Sequence, residues 1–229
     1  MIGENLRNII KMLPPEIKLV AVSKFHPLEA LQEAWDAGQR VFGESRPQEF
    51  ETKVKSFTEN REGNPEWHFI GHLQTNKLKM VLPYASLVQS VDSEHLLLAI
   101  DDWAEKNSKV VNLLLELHVA AEESKQGFAE DEILDIMFRY SDARGGRGRL
   151  SHVRICGLMS MATNTDDMSV VDADFARARD FFLYLKDLFP ELDEFRELSI
   201  GMSGDWKIAL RHGATIIRIG TAIFGERNL

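Results

Sequence analysis

The hydrophobic positions along the chain follow two different periods. Short, nearly continuous runs of apolar and β-branched residues predict buried β-strands, and longer segments with apolar residues three or four apart predict amphipathic helices. Eight strand-like runs occur, and a helix-like segment follows each of the first seven. The predicted strands are KLVAVSK (18–24), RVFGES (40–45), WHFIGHL (67–73), SLVQSV (86–91), VVNLLLELHV (110–119), VRICGLMSM (153–161), FRELSIGM (195–202) and TIIRIGTAIFG (215–225).

Local signals mark where several of the helices begin and end. Ser93 is a candidate N-cap for the helix after the fourth strand, and Gly38 ends the helical segment LEALQEAWDAG. The segments AEDEILDIMFRY and VVDADFARARDFFLYLKDLF carry acidic residues in their first turns, which suits the helix dipole. The first 17 residues predict one extra helix before the first strand, ended by Pro14 and Pro15.

The alternation of strands and helices indicates the fold class. Several strands are apolar almost throughout, as parallel strands covered by helices on both faces must be. Eight strand–helix units in about 220 residues fit one closed (β/α)8 TIM barrel. We therefore predict a single α/β domain over residues 1–229, with an extra N-terminal helix. An open, doubly wound sheet is the competing architecture, but no G-x-G-x-x-G sequence follows the first strand, which disfavours its dinucleotide-binding form.

Composition and charge narrow the classes of function. The formal net charge is −9, and an acidic protein of this kind is a poor general binder of nucleic acid or of anionic membranes. The single cysteine, Cys156, can form no internal disulfide. No apolar run approaches the ~20 residues that span a bilayer, and the N-terminal residues lack the pattern of a signal peptide. We expect a cytoplasmic protein, and a monomer because the predicted helices show no long apolar excess on their outer faces.

The candidate chemistry lies at the C-terminal ends of the predicted strands, where barrel proteins place their ligands. Lys24 ends the first strand. The sequence GMSGD (201–205) ends the seventh strand directly before a predicted helix, and RIGT (218–221) ends the eighth. Small residues and backbone amides at these two ends predict a phosphate site. Because closure of the barrel makes the first and eighth strands neighbours, Lys24 faces this site. Pyridoxal 5′-phosphate, which carries a phosphate and an aldehyde that condenses with a lysine amine, would satisfy both.

Six short motifs occur in a fixed order along the chain: VAVSK, FGES-x-x-QE, WHFIGHLQTNK, GLMSM, LSIGMSGD and IRIGTAIFG. Together they resemble the pyridoxal phosphate homeostasis protein family, from about residue 5 to residue 226. The resemblance implies the alanine-racemase-like barrel, which is fold type III among pyridoxal phosphate proteins. It also implies reversible holding of the cofactor, for buffering or for delivery to apo-enzymes that depend on it.

The resemblance also assigns roles to individual residues. It implies that Lys24 forms a Schiff base with the cofactor, that four residues hold the phosphate, and that Arg218 faces the pyridine nitrogen. Ser45 stands where the family often has asparagine, so an amide contact from that position is not expected. The implied cofactor-binding residues are Lys24, Ser45, His72, Met159, Ser203, Gly204, Arg218, Gly220 and Thr221.

Arg218 bears on whether the cofactor would be used in catalysis. A guanidinium only donates hydrogen bonds, so opposite the pyridine nitrogen it keeps that nitrogen unprotonated. Such a site is poorly suited to transamination or decarboxylation. Racemisation needs acid–base groups on both faces of the substrate carbon. None of the tyrosines Tyr84, Tyr140 and Tyr184 falls at the C-terminal end of a predicted strand, and the given sequence ends soon after the eighth strand. We expect a cofactor carrier with little or no turnover, and no firm catalytic residue.

Two other functions remain open at this point. One is a weak or narrow amino-acid racemase that uses pyridoxal phosphate. The other is an aldolase-type barrel enzyme, in which Lys24 would attack a sugar carbonyl and no coloured cofactor would be present.

Four further features of the sequence each have a structural and a functional interpretation. Glu44 either pairs with a basic group near the strand ends or caps the following helix. The segment SDARGGRGRL (141–150) is predicted to be a solvated surface loop rather than a phosphate contact. Cys156 is expected to be a buried, inert thiol. His68 and His72 lie ~13 Å apart on an extended strand, too far to share a metal ion, so no metal site is predicted.

Overall fold

The computed structural model describes residues 1–60, 63–122, 126–143 and 150–226. Eight parallel strands pair in chain order, and β1 pairs with β8, so the sheet closes into a barrel. The (β/α)8 prediction is therefore confirmed and the open sheet is excluded. The strands are β1 Lys18–Val22, β2 Val41–Glu44, β3 Glu66–Phe69, β4 Leu87–Val91, β5 Val111–Leu117, β6 Val153–Ser160, β7 Glu197–Ser199 and β8 Ile216–Ile219.

A helical segment follows every strand, and the predicted extra helix precedes β1. A 3-10 turn, Thr75–Lys77, leads into the helix after β3. The helices are α1 Ile2–Ile10, α2 Leu28–Asp36, α3 Pro47–Asn60, α4 Leu78–Val81, α5 Glu94–Lys106, α6 Glu130–Ala143, α7 Met168–Leu188, α8 Trp206–Arg211 and α9 Thr221–Phe224.

Every strand except β4 ends earlier than the apolar pattern predicts, and the difference is largest for β8 and β3. The eighth was expected to run to residue 225, but β8 ends at Ile219, where its last pairing is with Ala21 of β1. Beyond it, the N–H groups of Ile223 and Phe224 donate to the Gly220 carbonyl, which forms the first turn of α9. The third was expected to reach residue 73, but β3 ends at Phe69, whose register partner Glu44 is the last residue of β2. The apolar runs continue past these points because Leu73 and Ile223 are again buried beyond the ends of the two strands.

The apolar side chains form two layers, which explains the nearly continuous hydrophobic runs. One face of the sheet fills the barrel interior with a small cluster of side chains, and the other packs under the surrounding helices. The interior cluster consists of Val20, Leu87, Leu114, Met159 and Ile216. This plug closes the barrel centre, so a ligand can enter only at the rims.

Several predicted helix ends are confirmed in detail. The Ser93 hydroxyl accepts a hydrogen bond from the Leu96 N–H at 3.4 Å and caps α5. Gly38 follows α2 with φ +104°, a left-handed conformation that glycine adopts without strain. Helix α1 ends at Ile10, before the two prolines, and Asn5 bonds the Ile223 carbonyl at 3.1 Å. This contact seats α1 against α9, below the rim where the predicted site residues lie.

Positions 144–149 of the predicted arginine-bearing loop lie outside the described residues. Within the described ranges, no helix combines the length and apolar character that crossing a membrane requires.

Candidate functional site

A cavity of about 250 Å³ opens at the C-terminal ends of β1, β7 and β8. Six of the nine predicted cofactor-binding residues line it, and they come from segments far apart in the sequence. These six are Lys24, Ser203, Gly204, Arg218, Gly220 and Thr221. The pairing of β1 with β8 explains the convergence, since Val20 is the register partner of Arg218 and both strands end at this rim.

Lys24 lies in a tight turn directly after β1. The His26 N–H donates to the Ser23 carbonyl at 3.0 Å, so residues 23–26 form a β-turn with Lys24 as its second residue. The third residue, Phe25, has φ +67°, which is uncommon for an aromatic side chain. Left-handed residues of this kind persist only where the surroundings hold them, and they concentrate at functional sites.

The loops after β7 and β8 form the opposite side of the cavity. The Ser203 hydroxyl accepts hydrogen bonds from the N–H groups of Gly220 at 3.3 Å and Ala222 at 3.4 Å, so the two loops are joined. Among the described residues, the backbone amides of Ser203 and Gly204 donate to no protein group. A methyl group added at Gly204 would meet nothing within 4 Å. These loops therefore present free amide donors toward open space, which is how proteins bind phosphate.

Gly201 is the residue that lets the chain turn from β7 into this loop. Its φ is +95°, and an added Cβ would lie 2.6 Å from the Cβ of Ala209 in α8. Only glycine fits both the dihedral angle and the space. Helix α8 has six residues, so the loop amides rather than a long helix dipole supply most of the positive potential here.

Arg218 lies at the floor of the cavity and is almost completely buried. Its guanidinium donates to the carbonyl and hydroxyl oxygens of Ser199 at 2.8 and 2.6 Å and to the Ser160 carbonyl at 2.9 Å. Burial lowers the pKa of Arg218 to about 10, so it remains a cation near neutral pH. Of its five N–H donors, two make no bond to the described residues. Arg218 lines the cavity, so these two donors remain for an acceptor bound there.

Hydrogen-bonded polar side chains inside the barrel hold Ser199, the residue whose oxygens accept from Arg218. The Ser199 hydroxyl donates to the Gln89 Oε1 at 2.6 Å, and the Gln89 Nε2 lies 2.6 Å from the Nδ1 of His68. The other ring nitrogen of His68 is 2.8 Å from Glu66. Burial lowers the pKa of His68, which favours the neutral ring that this arrangement needs. His68 therefore has a structural role in the interior.

A second polar group lies across the same rim, near the ends of β3, β4 and β5. The Nδ1 of His72 is 2.8 Å from Asp92, and the His72 side chain is half exposed. Glu116 is buried beside them. Burial, and then the charge of Asp92, raise the pKa of Glu116 to about 7, while Arg218 and His72 act in the opposite direction.

Three predicted site residues do not line the cavity. Met159 belongs to the interior plug, His72 lies beyond the end of β3, and Ser45 follows β2. The roles assigned to them remain predictions. Met161 occupies the position expected for Met159: it lies two residues further along the same face, nearer the rim, and it does line the cavity.

Other lining residues had no assigned role in the sequence. His26, Ile70, Val22 and Met202 complete the cavity wall, and the His26 ring stacks on Phe224 with centroids 5.1 Å apart. For Val22, its position near the C-terminal end of the first predicted strand was the signal in the sequence that could have placed it at the cavity. The turn after β1 and the early end of β3 had to be known before His26 and Ile70 could be placed.

None of the three tyrosines is among the lining residues. Tyr140 is buried and its hydroxyl donates to Glu194 at 2.6 Å, whereas Tyr184 is exposed on α7. Cys156 lies at the opposite rim of the barrel and is half-buried rather than buried. Burial raises its pKa to about 11, which matches the expected inert thiol.

Comparison with known proteins relates the chain to one protein family. The family model described as alanine racemase, N-terminal domain, matches residues 1–228. A curated protein of Vibrio alginolyticus, named pyridoxal phosphate homeostasis protein, is 37% identical over 216 residues, which are 94% of this chain and 88% of that protein. A curated protein of the same name from Aquifex aeolicus is also 37% identical, over 92% of this chain and 87% of its own length.

Solved structures agree with this relationship. The structure of PipY from Synechococcus elongatus PCC7942 with PLP bound has a TM-score of 0.88 and is 36% identical, covering 98% of this chain and 100% of PipY. Alanine racemase from Corynebacterium glutamicum has a TM-score of 0.74 at 16% identity, over 99% of this chain and 60% of the racemase. At that identity, the likeness to the racemase concerns the fold alone.

Proposed function

We propose that this chain binds pyridoxal 5′-phosphate as a Schiff base on Lys24. The chain belongs to the pyridoxal phosphate homeostasis proteins of the alanine racemase N-terminal domain family. It holds the cofactor reversibly inside the cell and so buffers or delivers it, with little or no catalytic turnover. The whole chain acts as a single cofactor-binding domain.

The observation that carries the proposal is that Lys24 and the joined loops of Ser203 and Gly220 share one cavity. A primary amine on one side and free backbone amides on the other match the two ends of the cofactor. The ring would lie between them, against the side chains of Met161 and Met202. Thioether side chains adapt well to an aromatic ring.

The residues present fit the group chemically. The cofactor supplies an aldehyde that a primary amine attacks, and a phosphate that needs hydrogen-bond donors. The Lys24 amine forms a C=N bond to the aldehyde carbon, and the aldehyde oxygen leaves as water. The Ser203 and Gly204 amides offer donors to the phosphate. Because the reaction is a condensation, added water and competing amines reverse it, as a reversible carrier requires.

Arg218 supports holding rather than catalysis. Its two remaining N–H donors can meet an acceptor nitrogen of the ring, and its own contacts to Ser199 and Ser160 keep it in place. A cation there disfavours a proton on the ring nitrogen and so weakens the ring as an electron sink. This favours binding over transamination or decarboxylation.

A second candidate function is weak amino-acid racemisation. The His72–Asp92 pair is the observation that favours it, because a histidine oriented by a carboxylate is a usual general acid–base group. It stands across the rim from Lys24, although it does not line the cavity.

The proposed partners follow from the carrier role. They are pyridoxal phosphate itself and apo-enzymes that require it, and we propose that the chain acts as a monomer, without nucleic acid or membrane.

One experiment separates carrier from enzyme. Wild type and Lys24→Met are loaded with pyridoxal phosphate, freed of excess cofactor by gel filtration, and mixed with an apo-enzyme that depends on it. Wild type should restore activity to the apo-enzyme, and Lys24→Met should carry no cofactor through the filtration. In parallel, alanine is incubated with loaded wild type in D2O. Absence of α-proton exchange supports the carrier. Exchange from L-alanine that is accompanied by formation of D-alanine, with both lost in His72→Gln, would establish the racemase instead.

A further inference from the structure

The backbone on both sides of Lys24 is held by buried side chains that are not part of the cavity. The turn itself is unfavourable, because Phe25 has φ +67° at a position where glycine is preferred. Something must therefore fix this turn. Hydrogen bonds from side chains on helix α3 and at the end of β2 hold this turn in place.

Lys53 on α3 is the centre of these contacts. Its ammonium donates to the Ser23 carbonyl, to Glu44 Oε1 and to Glu49 Oε1, each at 2.7 Å. A lysine ammonium has three N–H donors, so all three are used. The side chain is 8% exposed, which is rare for lysine and requires such pairing.

The carboxylates of Glu49 and Glu44 also accept hydrogen bonds from the turn. Glu49 Oε1 also accepts the Phe25 N–H at 2.7 Å, directly after Lys24. Glu44 Oε1 also accepts the Ser23 hydroxyl at 2.6 Å, directly before Lys24. Glu44 is fully buried, so the sequence-based alternative of helix capping is replaced by pairing with Lys53.

We propose that Lys53, Glu44 and Glu49, here called the Lys53 network, are positioning residues that set the reach of the Lys24 amine into the cavity. The inference rests on the proposed function, since it concerns the bond that Lys24 forms with the aldehyde. One buried cation fixes the residue before Lys24 directly and the residue after it through Glu49. The turn can therefore keep its left-handed conformation only while the network is intact.

The network acts on Lys24 and not on the phosphate loops. Among the described residues, no hydrogen bond joins Lys53, Glu44 or Glu49 to the loops of Ser203 and Gly220. Loss of the network should therefore slow bond formation at Lys24 while the phosphate and ring are bound nearly as before. A role in general stability would instead weaken both together.

The test compares Lys53→Met with Lys55→Met. Lys55 lies on the same helix and pairs with Glu51 at 2.7 Å, also four residues apart, but it is exposed. Two quantities are measured for each protein. The first is the rate of Schiff-base formation with pyridoxal phosphate, followed by visible absorbance and by the fraction that borohydride fixes, since hydride reduces the C=N bond to a stable amine. The second is the Kd for pyridoxamine 5′-phosphate, which carries an amine in place of the aldehyde and cannot bond to lysine.

We expect Lys53→Met to slow Schiff-base formation by at least about tenfold, because a misplaced reacting group is costly, and to change the pyridoxamine phosphate Kd by less than about threefold. Lys55→Met should leave both quantities at the wild-type values. Glu49→Gln keeps the size of the side chain and loses its charge, so it should slow the reaction by a smaller factor. If Lys53→Met does not fold, Glu49→Gln decides the matter by the same pair of readouts.

Each other outcome has a definite meaning. A wild-type rate in Lys53→Met, or in a folded Glu49→Gln used in its place, overturns the positioning role and leaves the proposed function standing. A parallel loss of pyridoxamine phosphate binding also overturns it, because the network would then be a general structural element. If wild type itself forms no Schiff base, the proposed function fails, and this inference fails with it.

Discussion

The Ser203 hydroxyl accepts a hydrogen bond from the backbone N–H of Gly220 at 3.3 Å, and this contact joins the loop after β7 to the loop after β8. The two loops come from neighbouring strands, yet each is short and contains glycine, so neither would hold a fixed shape alone. The Ser203 side chain therefore contributes to the shape of the proposed phosphate site.

Ser203→Ala should weaken binding of pyridoxal phosphate by roughly fivefold to twentyfold, because it removes a hydrogen-bonding group worth about 1–2 kcal/mol. Binding of pyridoxal, which lacks the phosphate, should change little. Isothermal titration with both ligands measures the difference. Ser86→Ala, an exposed serine at the other rim, is the control. An equal loss for both ligands would show that Ser203 does not act through the phosphate.

Gly201→Ala should destabilise the fold and the phosphate site together. The left-handed backbone costs about 1–2 kcal/mol for alanine, and the contact 2.6 Å from Ala209 adds about 1–3 kcal/mol of overpacking. Gly213→Ala provides a matched control, since its φ is +74° but an added Cβ would touch nothing within 4 Å. Urea unfolding of the two variants should differ by the overpacking contribution. Equal losses of stability would mean that α8 moves away at no cost.

Glu116 should make stability depend on pH near neutrality. Its pKa in the folded protein is raised from 4.5 to about 7, so the folded state binds this proton more tightly than the unfolded state. The stabilisation is complete below the unfolded value and is lost as pH rises through about 7, up to about 3 kcal/mol for the full shift. Glu116→Gln should therefore flatten the fall in stability between roughly pH 5 and pH 8.

The comparison protein for this measurement is Glu105→Gln, which removes an exposed carboxyl on α5. It should keep the wild-type pH dependence. If Glu116→Gln also keeps it, Glu116 does not titrate in this range.

Arg218→Leu should lower stability by about 1–3 kcal/mol at roughly pH 8, because the buried Ser199 carbonyl loses its donor and the charged form of Glu116 loses a favourable cation. The Ser160 carbonyl also loses its donor. In the Glu116→Gln background the same substitution should lower the free energy of unfolding by less. Urea unfolding of wild type, the two single variants and the double variant measures this difference, which is the coupling energy between the two residues. Strict additivity would show that Arg218 and Glu116 do not interact.

The sequence predicted the barrel because its signals were local and repeated. Eight apolar runs with intervening helices are enough to set the order of strands, and the strand ends then bring Lys24, Ser203 and Arg218 to one rim. Strand lengths were less accessible, because the apolar pattern does not show where backbone pairing between neighbouring strands stops. Strand β3 stops at Phe69, which leaves His72 in the following loop.

The Lys53 network shows the other limit of sequence reasoning. Lys53 and Lys55 look alike in the sequence KVKSF, although one is buried and the other exposed. Helical spacing did contain a signal, because Lys53 lies three residues after Phe50 and four before Phe57, both of which are fully buried. Its partners Glu44 and Ser23 could not be read in this way, since they belong to other elements and meet it only after the barrel closes.

The most direct test of the central claim is the mass of the tryptic peptides after pyridoxal phosphate is added to the protein and the complex is reduced with borohydride. We expect that one peptide, the one containing Lys24, gains the mass of the reduced cofactor in near-stoichiometric yield, and that Lys24→Met gains none. A gain of that mass on a different lysine, or on no peptide of the wild-type protein, would contradict it.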